Sequence, residues 1–232
     1  MTINYDIHTH SLSSGHGSND KIADMAKKAA DIGLSVLGIS DHGPKTPGGA
    51  SESYFRSLKL APERRCGITV LYGAEANIID YDGNLDLSNE VLKDLDYCIV
   101  SLHTKSIKPG TMEENTNAYL KAMDNPYVRV IGHPDDGNFP VCYERLVKKA
   151  KEKGIVIELN NTSLCDSSYR PNARENCKKL LEMCQKYSLP IIFSSDSHGA
   201  ANIGNFTDCY KFVEENNFPE DLIIQDLNTF LR

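Results

Sequence analysis

The chain has 232 residues, 40% hydrophobic and 25% charged, with a formal net charge of −7, a globular profile rather than a disordered or fibrous one. No apolar run approaches the ~20 residues needed to span a bilayer, which excludes a helical membrane protein. An acidic balance without clustered Lys and Arg argues against a broad surface for duplex DNA or RNA. A small anionic ligand fits that charge only if its site supplies positive charge of its own. The N-terminus has no basic n-region and runs straight into a histidine-bearing strand, so no signal peptide is expected and the cytoplasm is the expected compartment. Seven cysteines (Cys66, Cys98, Cys142, Cys165, Cys177, Cys184, Cys209) show no Cys-x-x-Cys spacing. They read as reduced, mostly buried thiols without a catalytic or zinc role.

In chain order, seven apolar segments rich in β-branched residues are expected as strands: Tyr5–His10, Leu34–Ser40, Ile68–Ala74, Tyr97–Leu102, Tyr127–Gly132, Ile155–Leu159 and Pro190–Ser194. Most are followed by a polar loop and then by helical periodicity. Ile22, Met25, Ala26 and Ala29 follow i, i+3, i+4, i+7 with Gly33 as the stop. Tyr143, Leu146, Val147 and Ala150 repeat the pattern before Gly154, and Cys177, Leu180, Leu181 and Cys184 do so after Pro171. Asn77–Glu90, dominated by Asp, Asn and Gly, predicts a loop or hairpin before a short helix at about Ser88–Leu95. The Gly/Pro-rich stretch Gly43–Ser51 joins a strand end to a helix and reads as a loop over a site rather than a linker. No internal repeat or low-complexity tract breaks the chain, so residues 1–232 are expected to form one domain. Continuous apolar strands alternating with one-faced helices imply a parallel sheet covered by helices, either open or closed into a barrel.

The polar residues choose between these. The first strand carries His8 and His10, which at i and i+2 share a face and can grip one metal ion. The later strands run into Asp41-His42, Glu75, His103, His133-Pro134, Asn160-Asn161 and Asp196-Ser197-His198. In a β/α barrel the C-terminal strand ends converge on one mouth, whereas an open sheet leaves its edge strands far from a shared site. All seven histidines (8, 10, 16, 42, 103, 133 and 198) fall at or just beyond such ends. Asp196 and His198 repeat the i, i+2 geometry, and Glu75 is the carboxylate suited to bridge two ions. Glu158 lies inside its strand and could face either way, so it is left out of the ligand set. Seven histidines with Glu75 and Asp196 make nine donors. Catalytic zinc keeps about three protein ligands and an open position, so three ions fit better than two. Imidazole with carboxylate suits zinc first, with manganese or iron as possibilities.

Through Asp6-x-His8-x-His10, His16, Ser40-Asp41-His42, Gly73-x-Glu75, Ser101-x-His103, Gly132-His133-Pro134 and Ser195-Asp196-Ser197-His198, the chain resembles the polymerase-and-histidinol-phosphatase (PHP) superfamily. The match is to its small stand-alone trinuclear-zinc phosphatases and covers about positions 5–200. The resemblance implies a distorted seven-stranded β/α barrel, TIM-like in plan. It also implies one ion held by His8, His10, Glu75 and Asp196, a second by Glu75 with His103 and His133, and a third by His16, His42 and His198. Asp41 is expected behind the ligands, orienting one of them or a water, because metal-bound imidazoles usually donate their other N–H to such a group.

Three divalent ions carry roughly +6 against two carboxylates, which calls for an anion, and phosphate fits. Metal coordination lowers the pKa of bound water from 15.7 to about 7, so the expected reaction is hydrolysis of a small phosphomonoester by metal-activated hydroxide. Every histidine is assigned to metal, which leaves no base for a Ser-His or Cys-His hydrolase. The alternatives are a phosphodiesterase or 3′-end nuclease on short nucleotides, a histidinol-phosphate phosphatase, and a non-catalytic metal domain. Substrate identity is expected in loop cations: Lys45, Lys105, Lys108, Arg170 and Arg174. Arg170 is the first choice, because its fork offers two parallel hydrogen bonds to phosphate. Oligomeric state is not legible.

Overall fold

The computed structural model describes residues 2–227. Its centre is a parallel sheet that curls into a nearly closed barrel, in the order β1 (Tyr5–Asp6), β3 (Val36–Ile39), β5 (Ile68–Asn77), β6 (Tyr97–Ser101), β7 (Val128–Ile131), β8 (Val156–Asn160) and β9 (Ile191–Ser194). This is the β/α barrel expected from the strand ends. The interposed β2 (Thr9–His10) pairs in parallel with β10 (Ser197–His198), and β4 (Arg64–Arg65) lies antiparallel on β5.

Helices α1 (Ile22–Asp31), α5 (Tyr143–Lys153) and α7 (Ala173–Tyr187) lie where periodicity predicts them, burying Met25, Leu146, Leu180 and their i+4 neighbours against the sheet. The remaining helices are α2 (Glu52–Leu58), α3 (Asn89–Leu92), α4 (Met112–Ala122), α6 (Asn161–Leu164) and α8 (Thr207–Glu215). A capping box starts α4: Thr111 Oγ1 accepts from Glu114 N, and the Glu114 carboxylate accepts from Thr111 N. The Asn77–Glu90 stretch is a hairpin. Ile78 bridges Leu85 antiparallel around a turn in which Asp80 Oδ1 accepts from Asp82 N and Asn84 N.

Two strands differ from expectation. Tyr5–His10 is not one strand but two, because Ile7 leaves the ladder and its carbonyl accepts from the Tyr97 hydroxyl at 2.7 Å. Gly38 makes room for that phenol, since a Cβ there would stand 2.4 Å from the hydroxyl oxygen. The third expected strand continues past Ala74 to Asn77, as its pairing with β6 runs through Asn77↔Ser101. Glu75 is therefore held inside a strand rather than on a loop beyond it.

The seam between β1 and β9 is closed by other means. Asp6, fully buried, accepts from Ser195 N at 3.3 Å and Gly204 N at 2.9 Å. Below it Ile223 bridges Ile191, and the Tyr5 hydroxyl donates to Ile224 O. The β2–β10 ladder spans the seam at the mouth, placing His10 beside His198.

Candidate metal centre

The side chains at the mouth follow from strand pleating. Residues two apart share a face, so Glu75 and Asn77 of β5 point the same way, as do Glu158 and Asn160 of β8. All four are fully buried. The seven imidazoles form one continuous cluster. Ring centroids step from His133 to His8 (5.8 Å), His10 (5.1 Å) and His42 (4.2 Å), and from His10 to His198 (4.3 Å). His16 lies 4.9 Å from both His42 and His198, and His103 5.1 Å from His133.

Glu75 is the hub. Its Oε1 lies 2.8 Å from His133 Nε2 and 3.3 Å from His103 Nε2. Its Oε2 lies 2.6 Å from His42 Nδ1, 3.5 Å from His8 Nε2 and 3.7 Å from His10 Nε2. Asp196, in left-handed backbone (φ 55°), brings Oδ1 to 3.2 Å from His10 Nε2 and 3.7 Å from His8 Nε2. Four overlapping triads have ligand atoms within 4.8 Å of one another: His8/His10/Glu75, His8/His133/Asp196, His42/Glu75/His103 and His10/His42/His198. His16 belongs to none of these four. It sits exposed at the lip, on a loop whose Gly15 (φ 85°) packs so tightly on Gly48 that a Cβ would fall 2.1 Å from the Gly48 carbonyl carbon. The Gly43–Ser51 stretch is thus a loop at the mouth, where Thr46 lines the cavity.

The outer nitrogens are held by residues outside the expected ligand set. His8 Nδ1 meets Glu158 Oε2 at 2.7 Å, His103 Nδ1 meets Asn77 Oδ1 at 2.7 Å, and His10 Nδ1 meets Ser14 Oγ at 2.9 Å. Each imidazole thereby commits its Nδ1–H outward and turns Nε2 inward. Glu158 also accepts from His133 N and Ser194 Oγ. Period-two alternation could have found Asn77 and Glu158, each on a strand face with another site residue, but nothing marked Ser14. Among the described residues the Asp41 carboxylate takes no hydrogen bond from a histidine ring. It accepts from Ser11 N, Ser11 Oγ, Ser14 Oγ and the Tyr54 hydroxyl, and it reaches His10 only through Ser14.

Arg170 lines the cavity but is not a free fork over it. It is 4% exposed, with Nη2 donating to Asp196 Oδ2 at 2.8 Å and Nη1 to Asn160 Oδ1 and Ser163 Oγ. Arg174 turns away, to Leu164 O and Glu215. Of the other loop cations only Lys105 lines the cavity, which measures about 480 Å³.

These residues fit a metal cluster. His8 Nε2, His10 Nε2, His42 Nδ1, His198 Nε2 and Glu75 Oε2 are buried without a hydrogen bond, although several lie within 4 Å of one another. Buried polar atoms are rarely left so, and lone pairs converging on shared space are what a cation needs. The charges agree. Burial by itself would lower the His8 pKa, yet Glu158, Glu75 and Asp196 hold it well above its ordinary value. Burial opposes ionisation of Glu75, but His103, His42 and His8 keep its carboxyl well below the usual range. Burial lowers His10, His16 and His198 and pushes His103 down to about 4. Those rings are neutral, as ligands must be.

The PHP domain model matches residues 6–162. A "Probable phosphatase" of Clostridium novyi is 46% identical over 219 residues, covering 94% of this chain and 88% of the relative. One from Caldicellulosiruptor saccharolyticus is 40% identical over all 232 residues and 95% of its own length. Among solved structures, the histidinol phosphate phosphatase of Lactococcus lactis, complexed with zinc, L-histidinol and phosphate, shares the fold. Its TM-score is 0.66 at 19% identity, over 93% of this chain and 94% of that one. The phosphotriesterase homology protein of Escherichia coli, complexed with phosphate, aligns with a TM-score of 0.54 at 11% identity, covering 100% of both chains. With its barrel, its histidine cluster and these relatives together, this chain is an enzyme of the PHP domain family.

Proposed function

We propose that this enzyme is a metal-dependent phosphatase that hydrolyses a small phosphomonoester at a three-metal site, the whole chain acting as one catalytic domain in the cytoplasm. The observation that carries the reading is Glu75, whose two oxygens face different histidines and whose Oε2 has no hydrogen bond. That is the disposition of a carboxylate shared between two cations. His8, His10, Glu75 and Asp196 would hold one ion, Glu75, His103 and His133 a second, and His16, His42 and His198 a third. Zinc is preferred for this donor set, with manganese or iron able to substitute. When bound, such ions supply Lewis acidity toward phosphoryl oxygens and lower the pKa of water.

The chain's own residues do the positioning. Glu158, Asn77 and Ser14 hold the ring protons of His8, His103 and His10 outward, so the opposite nitrogens stay aimed at the centre. Arg170 fixes the rotamer of Asp196 and offsets its charge. Ser14 is not a nucleophile paired with His10, because its hydroxyl donates to Asp41 and accepts the His10 proton. A cavity of about 480 Å³ suits a small ester, and a net charge of −7 disfavours a polyanion.

The test is a screen of the zinc- and manganese-loaded protein against phosphomonoesters, histidinol phosphate, nucleotides, phosphodiesters and short oligonucleotides. Metal-dependent phosphate release from small monoesters is expected. Cleavage confined to oligonucleotides, or activity that survives complete metal removal, would overturn the reading.

A further inference from the structure

Beyond the candidate ligands and the paired Arg170, the cavity wall offers a cation (Lys105), an anion (Asp136) and a phenol ring (Tyr169), each from a different loop. Among the described residues the exposed large hydrophobics are Leu12, Ile32, Leu60, Met112 and Tyr169, and of these Tyr169 alone lines the cavity. The residue is 72% exposed. The Arg170 guanidinium carbon stands 5.0 Å over its ring centroid, and Arg170 is itself anchored on Asp196, Asn160 and Ser163. One ring face is thus occupied by a buried cation while most of the phenol stays open at the mouth, beside the candidate metal ligands. An apolar ring held out into solvent in this way costs solvation unless something covers it.

We propose that Tyr169 selects the leaving group of the ester by stacking on a planar one, so that the enzyme's substrates are phosphomonoesters of alcohols bearing a flat ring. The proposal rests on the phosphatase reading for the phosphoryl half of the substrate and adds the other half. Lys105 and Asp136 both line the cavity and carry opposite charges, so the two together favour neither an anionic nor a cationic leaving group, whereas an aromatic face favours a planar one. Stacking is geometrically selective: a ring gains offset-stacked contact, and a short aliphatic chain of similar size gains less.

Two measurements on the zinc-loaded enzyme test this. Calorimetric binding compares phenylphosphonate with propylphosphonate, neither of which can be hydrolysed, in the native protein, Tyr169→Leu and Tyr169→Phe. Hydrolysis compares benzyl phosphate with propyl phosphate in the same three proteins. The expected result is a preference for the ring compounds, reduced roughly two- to tenfold in Tyr169→Leu and kept in Tyr169→Phe. A native enzyme without that preference, or a Tyr169→Leu variant that retains it, overturns the proposal. If the phosphonate preference follows Tyr169 while no ester is hydrolysed, the aromatic subsite stands and the phosphatase reading falls. If esters are hydrolysed with no dependence on Tyr169, the reverse holds.

Discussion

Glu158 holds His8 by its outer nitrogen, Oε2 to Nδ1 at 2.7 Å, and with its other oxygen accepts the backbone N–H of His133 at 2.6 Å. One buried carboxylate therefore orients two candidate ligands, His8 between β1 and β2 and His133 just beyond β7. Glu158→Gln can keep one of these bonds but not both with its ring-facing geometry. Metal affinity should drop about ten- to a hundredfold, the usual consequence of losing such a partner. Competition with a chelator of known affinity measures it, and an unchanged affinity would mean that the carboxylate serves packing alone.

Glu75 and His16 occupy opposite extremes of the cluster. Glu75 is fully buried at its hub, whereas His16 is exposed at its lip and in none of the tight triads. Elemental analysis of the saturated native protein should give close to three divalent ions per chain. Glu75→Gln should lose more than one of them and His16→Asn at most one, because a shared carboxylate serves two ions. Equal losses would show that Glu75 does not bridge, and a native content of one ion would remove the cluster.

Metal removal should be linked to protons. In the metal-free protein burial disfavours a charged His8, but Glu158, Glu75 and Asp196 hold its pKa well above the ordinary value near 6.5. Those carboxylates favour the protonated ring in the absence of metal, and a cation entering the site competes with that proton. Binding should release protons and strengthen as pH rises. His103, pushed down to about 4 chiefly by burial, contributes no proton at neutral pH. Titrations of zinc in two buffers of different ionisation enthalpy give the proton count, and a count of zero at pH 7 would contradict the electrostatics.

Arg170 donates to Asp196 at 2.8 Å with both side chains buried. Removing one member of a buried pair typically costs about 3–5 kcal/mol, because the other charge is left unpaired. Arg170→Ala should destabilise the chelated protein by about that amount and the metal-loaded protein by less, since cations can take over compensation of Asp196. Thermal melts with and without chelator separate the two. Equal shifts would place Arg170 outside the electrostatics of the centre.

The residues that can bind metal were legible because the chemistry sits at strand ends. His8, His10, His42, Glu75, His103, His133, Asp196 and His198 each follow an apolar run, and the period-two rule places i and i+2 donors on one face whatever their neighbours do. The barrel was legible for the same reason, since only closure lets all those ends meet. The apolar run stops at Ala74, which puts Glu75 just beyond its strand, whereas pairing with β6 carries the strand to Asn77.

What the linear chain determined is thus the fold and the set of chemistry-bearing residues that the fold gathers at one mouth, through local periodicity and residue chemistry. Only the tertiary structure decided which groups hold the donors from behind. Ser14, Asn77 and Glu158 lie 4, 26 and 150 positions from the histidines they orient. It also turned Arg170 inward onto Asp196, where a loop reading pointed it at the ligand. Hydrogen-bond partnership depends on where strands from distant parts of the chain come into register, and no local pattern encodes that register.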